Sequence, residues 1–86
     1  MAQLTARFSA RAEQDRLALR EALRKEDRIA VRDVAHRLAG TAPMLGFEAI
    51  GEAARMLEDA ADSGRPLGTP AENLLSQLER VSGPRD

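Results

Sequence analysis

Asp27-Arg28-Ile29-Ala30-Val31-Arg32-Asp33-Val34-Ala35-His36-Arg37-Leu38-Ala39-Gly40-Thr41-Ala42-Pro43-Met44-Leu45-Gly46 is the stretch whose reading decides the fold. Val31, Val34, Ala35, Leu38, Ala42 and Leu45 recur at three and four residues, which is the apolar stripe of an amphipathic helix. Asp27 before the stripe can accept the free N–H groups of a first turn, and Gly46 after it is a plausible stop. The spacing predicts a helix over about 28–44. Two residues disturb it. Gly40 costs on the order of 1 kcal/mol relative to Ala in a helix interior, and Pro43 removes a backbone hydrogen bond. Pro43 is either tolerated for packing or marks an early helix end.

Outward from this stretch the same periodicity repeats. Leu4, Phe8, Ala12, Leu19 and Leu23 fall near one face of a helix over about 4–25, which Asp15 and Arg16 interrupt, so a short opening helix followed by a break is compatible with the pattern. Phe47, Ile50, Ala54, Leu57 and Ala61 mark a helix over about 47–62, ended at Ser63-Gly64-Arg65-Pro66 with Gly64 available for a left-handed cap. Thr69-Pro70-Ala71-Glu72 has the form of a capping box with proline at the first helical position. It opens a helix over about 70–82 whose apolar face is Leu74, Leu75, Leu78 and Val81, with Gly83-Pro84 as its stop. Four amphipathic helices with short connections predict an all-α fold, an antiparallel up-down-up-down four-helix bundle spanning residues 1–86 as one domain. Met44 and Met56 read as core fillers.

Composition narrows the function. Thirteen Lys and Arg against 14 Asp and Glu give a net charge of −1, too balanced to draw in nucleic acid or an anionic membrane through a global field. Arg20, Arg24, Lys25, Arg28 and Arg32 cluster, but Glu21, Glu26 and Asp27 dilute them, and the stacking side chains of a nucleic-acid site are scarce, since Phe8 and Phe47 are the only aromatics. Cysteine is absent, which excludes disulfide and thiol chemistry. No apolar run nears the roughly 20 residues of a membrane span, and the opening Met1-Ala2-Gln3-Leu4 lacks a signal-peptide core. A cytoplasmic monomer is expected, either free-standing, which Met1 suits, or part of a larger sensor. Glu48, Glu52, Glu58, Asp59 and Asp62 read as a solvated helix face.

His36 is the single histidine. One imidazole cannot build a metal site, so no metal is expected, but it is the side chain best suited to proton or phosphoryl exchange near neutral pH. At about 100° per residue, His36 points roughly 160° away from Leu38 and about 140° from Val31, which turns it outward from the core stripe. Arg32 and Asp33 lie one turn below it, Ala39 and Gly40 one turn above, and Pro43 continues the face. Gly40 either permits close helix packing or leaves the ring open to another protein. Ile29 either adds an apolar contact to this face or tucks against the first helix.

The ordered set His36, Leu38, Gly40, Thr41, Ala42, Leu45, Gly46, Leu57 and Glu58 resembles the signature of histidine-containing phosphotransfer (HPt) domains of bacterial two-component phosphorelays. The resemblance implies that His36 accepts a phosphoryl group from a receiver-domain aspartate and passes it to a second receiver. Nε2 would be the attacking nitrogen, no cofactor would belong to the bundle, and Mg²⁺ would sit in the partner receiver. Response-regulator receiver domains, and a hybrid histidine kinase, are the implied partners, and the bundle is implied to be a phosphocarrier without catalytic turnover of its own. Attack needs a neutral imidazole, so acceptance should fall as the ring protonates in acid. The family often carries Lys three residues after the histidine, where this chain has Ala39. Arg32 and Arg37 are the candidates to steady the phosphate in its place, with Arg37 equally readable as a solvated arginine. Ile29, Arg32, Asp33, Ala39, Gly40 and Pro43 form the expected partner surface. Two rival readings are an HPt-like adaptor that binds a receiver or kinase without carrying phosphate, and a purely structural bundle.

Overall fold

The computed structural model describes the backbone of residues 2–82 and the side chains of residues 10–81. Four α-helices make up nearly all of it: α1 (Ala2–Arg24), α2 (Arg28–Thr41), α3 (Glu48–Ser63) and α4 (Gly68–Ser82), with a 3-10 turn at Pro43–Leu45 between α2 and α3. There is no strand among the described residues. Among the described residues each helix packs on its neighbours in sequence, and α1 also packs on α4.

The core is built from the predicted stripes, except that Leu45, the last residue of the expected α2 stripe, lies in the 3-10 turn and is exposed. Leu19, Val31, Leu38, Leu57, Leu74 and Leu78 are fully buried, and Ala12, Ala35, Ala42, Ala53, Ala54 and Ala71 fill the space between them. Each such leucine contributes about 1.5–3 kcal/mol by leaving water, and the small alanines let the helix axes approach closely. The side chains of Leu4 and Phe8, and the stop expected at Gly83-Pro84, lie outside the described residues.

Several expectations are corrected. α1 does not break at Asp15 and Arg16. Asp15 is buried, but its carboxylate accepts from Arg37 Nη2 at 2.6 Å, so the apparent gap in the stripe is an ion pair between α1 and α2. Arg16 meets Glu13 one turn back at 2.9 Å. α2 ends at Thr41 rather than Met44. Pro43 cannot donate to the helical ladder, and the chain tightens into the 3-10 turn before Gly46 takes the left-handed conformation at φ 91°. That ending turns Met44 outward, 83% exposed, with Met56 also exposed at 55%, so neither methionine fills the core. α4 starts at Gly68, where the first bond runs from the Ala71 N–H to the Leu67 carbonyl at 2.8 Å. Thr69 and Pro70 therefore lie inside the first turn rather than at its edge, and proline is tolerated there because the first N–H groups of a helix have no partner within it.

The three chain reversals share one device. At Glu26, Gly46 and Gly64 the residue has positive φ, at 57°, 91° and 72°. The next N–H reaches back five residues: Asp27 to Ala22, Phe47 to Ala42 and Arg65 to Ala60, each at 2.9 Å. This is the Schellman ending. Asp27 caps α2 as expected, its Oδ1 accepting from the Ala30 N–H at 3.1 Å. Arg28 then crosses to the far end of α3, donating to the carbonyls of Ala60 at 3.1 Å and Arg65 at 2.9 Å. A cation there satisfies free carbonyls and the negative end of the helix dipole together.

Candidate functional site

α2 and α3 lie against each other in opposite directions, and the register can be read from their side chains. Arg32 Nε donates to Asp62 Oδ1 at 2.6 Å. Four residues further along α2 and four back along α3, His36 Nδ1 meets Glu58 Oε2 at 2.7 Å. Seven further on and seven back, the Pro43 ring packs so closely on Gly51 that any side chain at 51 would overlap it. One helical turn thus separates each basic group on α2 and each matching acid on α3, so the antiparallel pairing joins all four.

The imidazole at the centre is 68% exposed, whereas its acid partner is only 16% exposed. Glu58 sits beside Leu57 and one turn from Ala54, at the border of the α3 apolar stripe, which holds its carboxylate in place while the ring stands in solvent. An ionised carboxylate only accepts hydrogen bonds. The 2.7 Å contact therefore requires the proton of a neutral ring to be on Nδ1, leaving the lone pair on Nε2 of a ring that is largely exposed.

Arg32 is held by carboxylates. Beyond Asp62 it stands 3.9 Å from Glu58 and 3.7 Å from Asp33. The Asp62 hydrogen bond, and then the Asp62 charge, raise the guanidinium pKa above its ordinary value, against a small opposing effect of burial. Arg37 points elsewhere, into the ion pair with Asp15, and Thr41 Oγ1 donates to the Arg37 carbonyl at 2.7 Å. Arg32 is thus brought beside His36, while the Arg37 guanidinium is engaged on α1.

The rest of the expected surface divides. Gly40 has nothing within 4 Å of where a side chain would begin, so close helix packing is not its purpose and the backbone above the ring is bare. Ile29 is 74% exposed and does not tuck against α1. Asp33 is exposed, whereas Ala39 and Pro43 are half-buried, Ala39 against the core and Pro43 on Gly51. The basic cluster near the first reversal is largely committed internally: Arg24 and Lys25 to Glu21, Arg28 to the α3 carbonyls and Arg32 to Asp62. No group of three or more His, Asp or Glu among the described residues is placed to hold a metal ion. No helix among them is long and apolar enough to cross a membrane.

Glu58, present in the resemblance but otherwise read as solvated, and Asp62, read only as part of a solvated face, have contacts that the sequence reading leaves unassigned. The signal was present: two bases four apart on one helix and two acids four apart on the next.

A helical bundle with one exposed imidazole, oriented by a carboxylate and flanked by bare backbone, has the form of a group carrier. The sequence matches the family model of the Hpt domain over residues 3–83, and the chain belongs to that family of histidine phosphotransfer domains, which act as phosphocarrier modules in phosphorelays. No curated protein and no solved structure matches the chain at a significant level.

Proposed function

We propose that His36 is the phosphoryl carrier of this Hpt domain, taking phosphate from an aspartyl phosphate on one receiver domain and giving it to an aspartate on another. The observation that carries this reading is the Glu58–His36 contact on an imidazole that is otherwise open.

The chemistry follows from it. Nε2 attacks phosphorus in line, the bond from phosphorus to the aspartyl oxygen breaks, and the aspartate leaves as a carboxylate. The ring gains positive charge as the N–P bond forms, and Glu58 stabilises that charge from the opposite nitrogen. Most of the remaining catalysis is positioning, with Mg²⁺ supplied by the receiver. Gly40 and the exposed Ile29 and Asp33 give the receiver a place to settle, and Arg32, which stands 3.9 Å from Glu58, is a cation beside the ring that can steady the phosphate. Arg37 has no part in this account, since its guanidinium serves Asp15. We take the bundle as up-down-up-down throughout, the short connections at 25–27, 42–47 and 64–67 leaving each helix little choice but to reverse. A monomer acting in the cytoplasm of a bacterium, served by a hybrid histidine kinase or its receivers, fits this reading.

Incubation with a phosphorylated receiver tests it. Wild-type protein should acquire an acid-labile phosphate and His36→Gln should not. Binding of the receiver by both without phosphate on either would identify an adaptor instead.

A further inference from the structure

Arg32 is held by a carboxylate that a phosphoryl group on His36 would have to displace. Its guanidinium is spent on Asp62, at 2.6 Å from Nε, with a second Nη2 contact to Glu58 at 3.9 Å. Glu58 in turn holds His36, so the arginine stands one carboxylate away from the ring. Both members of the Arg32–Asp62 pair are exposed, at 42% and 49%. Such pairs contribute little and rearrange at small cost. A phosphoryl group on Nε2 would bring two negative charges and a geometry that a guanidinium can grip with two parallel hydrogen bonds.

We propose that Asp62 is a positioning residue that competes with the phosphoryl group for Arg32, and so keeps phospho-His36 ready to give its phosphate up. The proposal rests on His36 being the carrier. It gives a physical role to the Ala39 departure: with no lysine above the ring, Arg32 is a cation close to it, and Asp62 decides how much of it the phosphate receives. Asp33, Glu58 and Asp62 surround one arginine, so a phosphoryl group arriving there enters a field that is already acidic. Loss of the group passes through a loose, metaphosphate-like transition state, and the anionic outer oxygens push electron density toward phosphorus as its bond to the ring nitrogen breaks. A cation on those oxygens therefore favours the phosphorylated ground state and slows loss of the group. Asp62, by withholding Arg32, shortens the life of the phosphohistidine.

Phosphoramidate tests this without any partner protein. Nε2 displaces ammonia from phosphorus, the P–N bond of the donor breaking with its electron pair leaving on nitrogen as the new N–P bond forms. Phosphohistidine decay is then followed by ³¹P NMR at neutral pH in wild type, Asp62→Asn, Asp62→Glu, Arg32→Gln and the Asp62→Asn/Arg32→Gln double variant. Asp62→Asn should lengthen the lifetime about two- to five-fold, the range open to one exposed charge pair. Asp62→Glu should restore the wild-type lifetime. The double variant should match Arg32→Gln, because the effect of Asp62 acts through the arginine. An unchanged lifetime in Asp62→Asn, or the same lengthening with Arg32 absent, overturns the proposal while leaving the carrier reading intact. Failure of wild-type His36 to take up any phosphate overturns both.

Discussion

Replacing Glu58 by Gln is the perturbation that most sharply isolates what the bundle does for its histidine. The amide keeps the size of the side chain and an oxygen that can still accept from Nδ1, but it removes the charge. Two unit charges about 4 Å apart interact by about 4 kcal/mol at an effective dielectric of 20 and by about 1 kcal/mol in bulk water. The ring is 68% exposed although Glu58 is 16% exposed, so the interaction belongs nearer the aqueous limit. Only part of the positive charge has formed on the ring at the transition state. A loss of about 1 kcal/mol is expected, which is roughly a five-fold fall in rate. The assay is the initial rate of phosphohistidine formation from phosphoramidate, with circular dichroism to confirm an unchanged fold. A small donor makes the rate independent of docking. Glu58→Ala should fall further, because the proton is then no longer held on Nδ1. A Glu58→Gln rate equal to wild type, with the helices intact, would refute the claim that this carboxylate assists the nucleophile.

Gly40→Gln should leave the fold intact or raise its melting temperature, since the position is open and glycine costs on the order of 1 kcal/mol in a helix. The same variant should accept phosphate slowly from a receiver yet normally from phosphoramidate; equal rates from the receiver would remove Gly40 from the docking surface. Glu26→Gly should stabilise the protein by about 0.5–1 kcal/mol in a urea titration, because Glu26 holds φ 57° where the two equivalent reversals use glycine. A loss of stability there would mean the Glu26 side chain matters more than its backbone. Arg37→Met should destabilise the fold by about 1–3 kcal/mol by leaving the buried Asp15 carboxylate with only Arg11, 3.8 Å away. Phosphate uptake by the folded fraction of that variant should be unchanged, and a specific loss of uptake would return Arg37 to the site.

The apolar stripes carried most of the architecture, because three- and four-residue spacing has one compact solution when the helices are short and amphipathic. What they could not carry was anything that depends on two helices at once. Asp15 looked like a flaw in the α1 stripe because its partner, Arg37, lies 22 residues away. Glu58 and Asp62 looked solvated because a carboxylate beside an apolar stripe and one in open water share the same local sequence. The resemblance marks Glu58 without giving it a role, and the contacts of both acids follow once α3 is laid against α2 in the register that Pro43 and Gly51 enforce. The outward direction of His36 was legible, since rotation along one helix suffices to give it. Met44 departs from its expected core position for a backbone reason: the 3-10 turn after Thr41 rotates it into solvent. Thr69 showed the opposite limit, a strong local cap signal displaced because α4 begins at Gly68.

The central claim is that Nε2 of His36 takes the phosphoryl group while Nδ1 keeps its proton on Glu58. A ³¹P–¹⁵N correlation spectrum of the phosphorylated, ¹⁵N-labelled protein reads this directly. The account predicts one phosphorus coupled to Nε2 of His36, with a proton still on Nδ1. Phosphorus coupled to Nδ1, or phosphate found on any other residue, would contradict it.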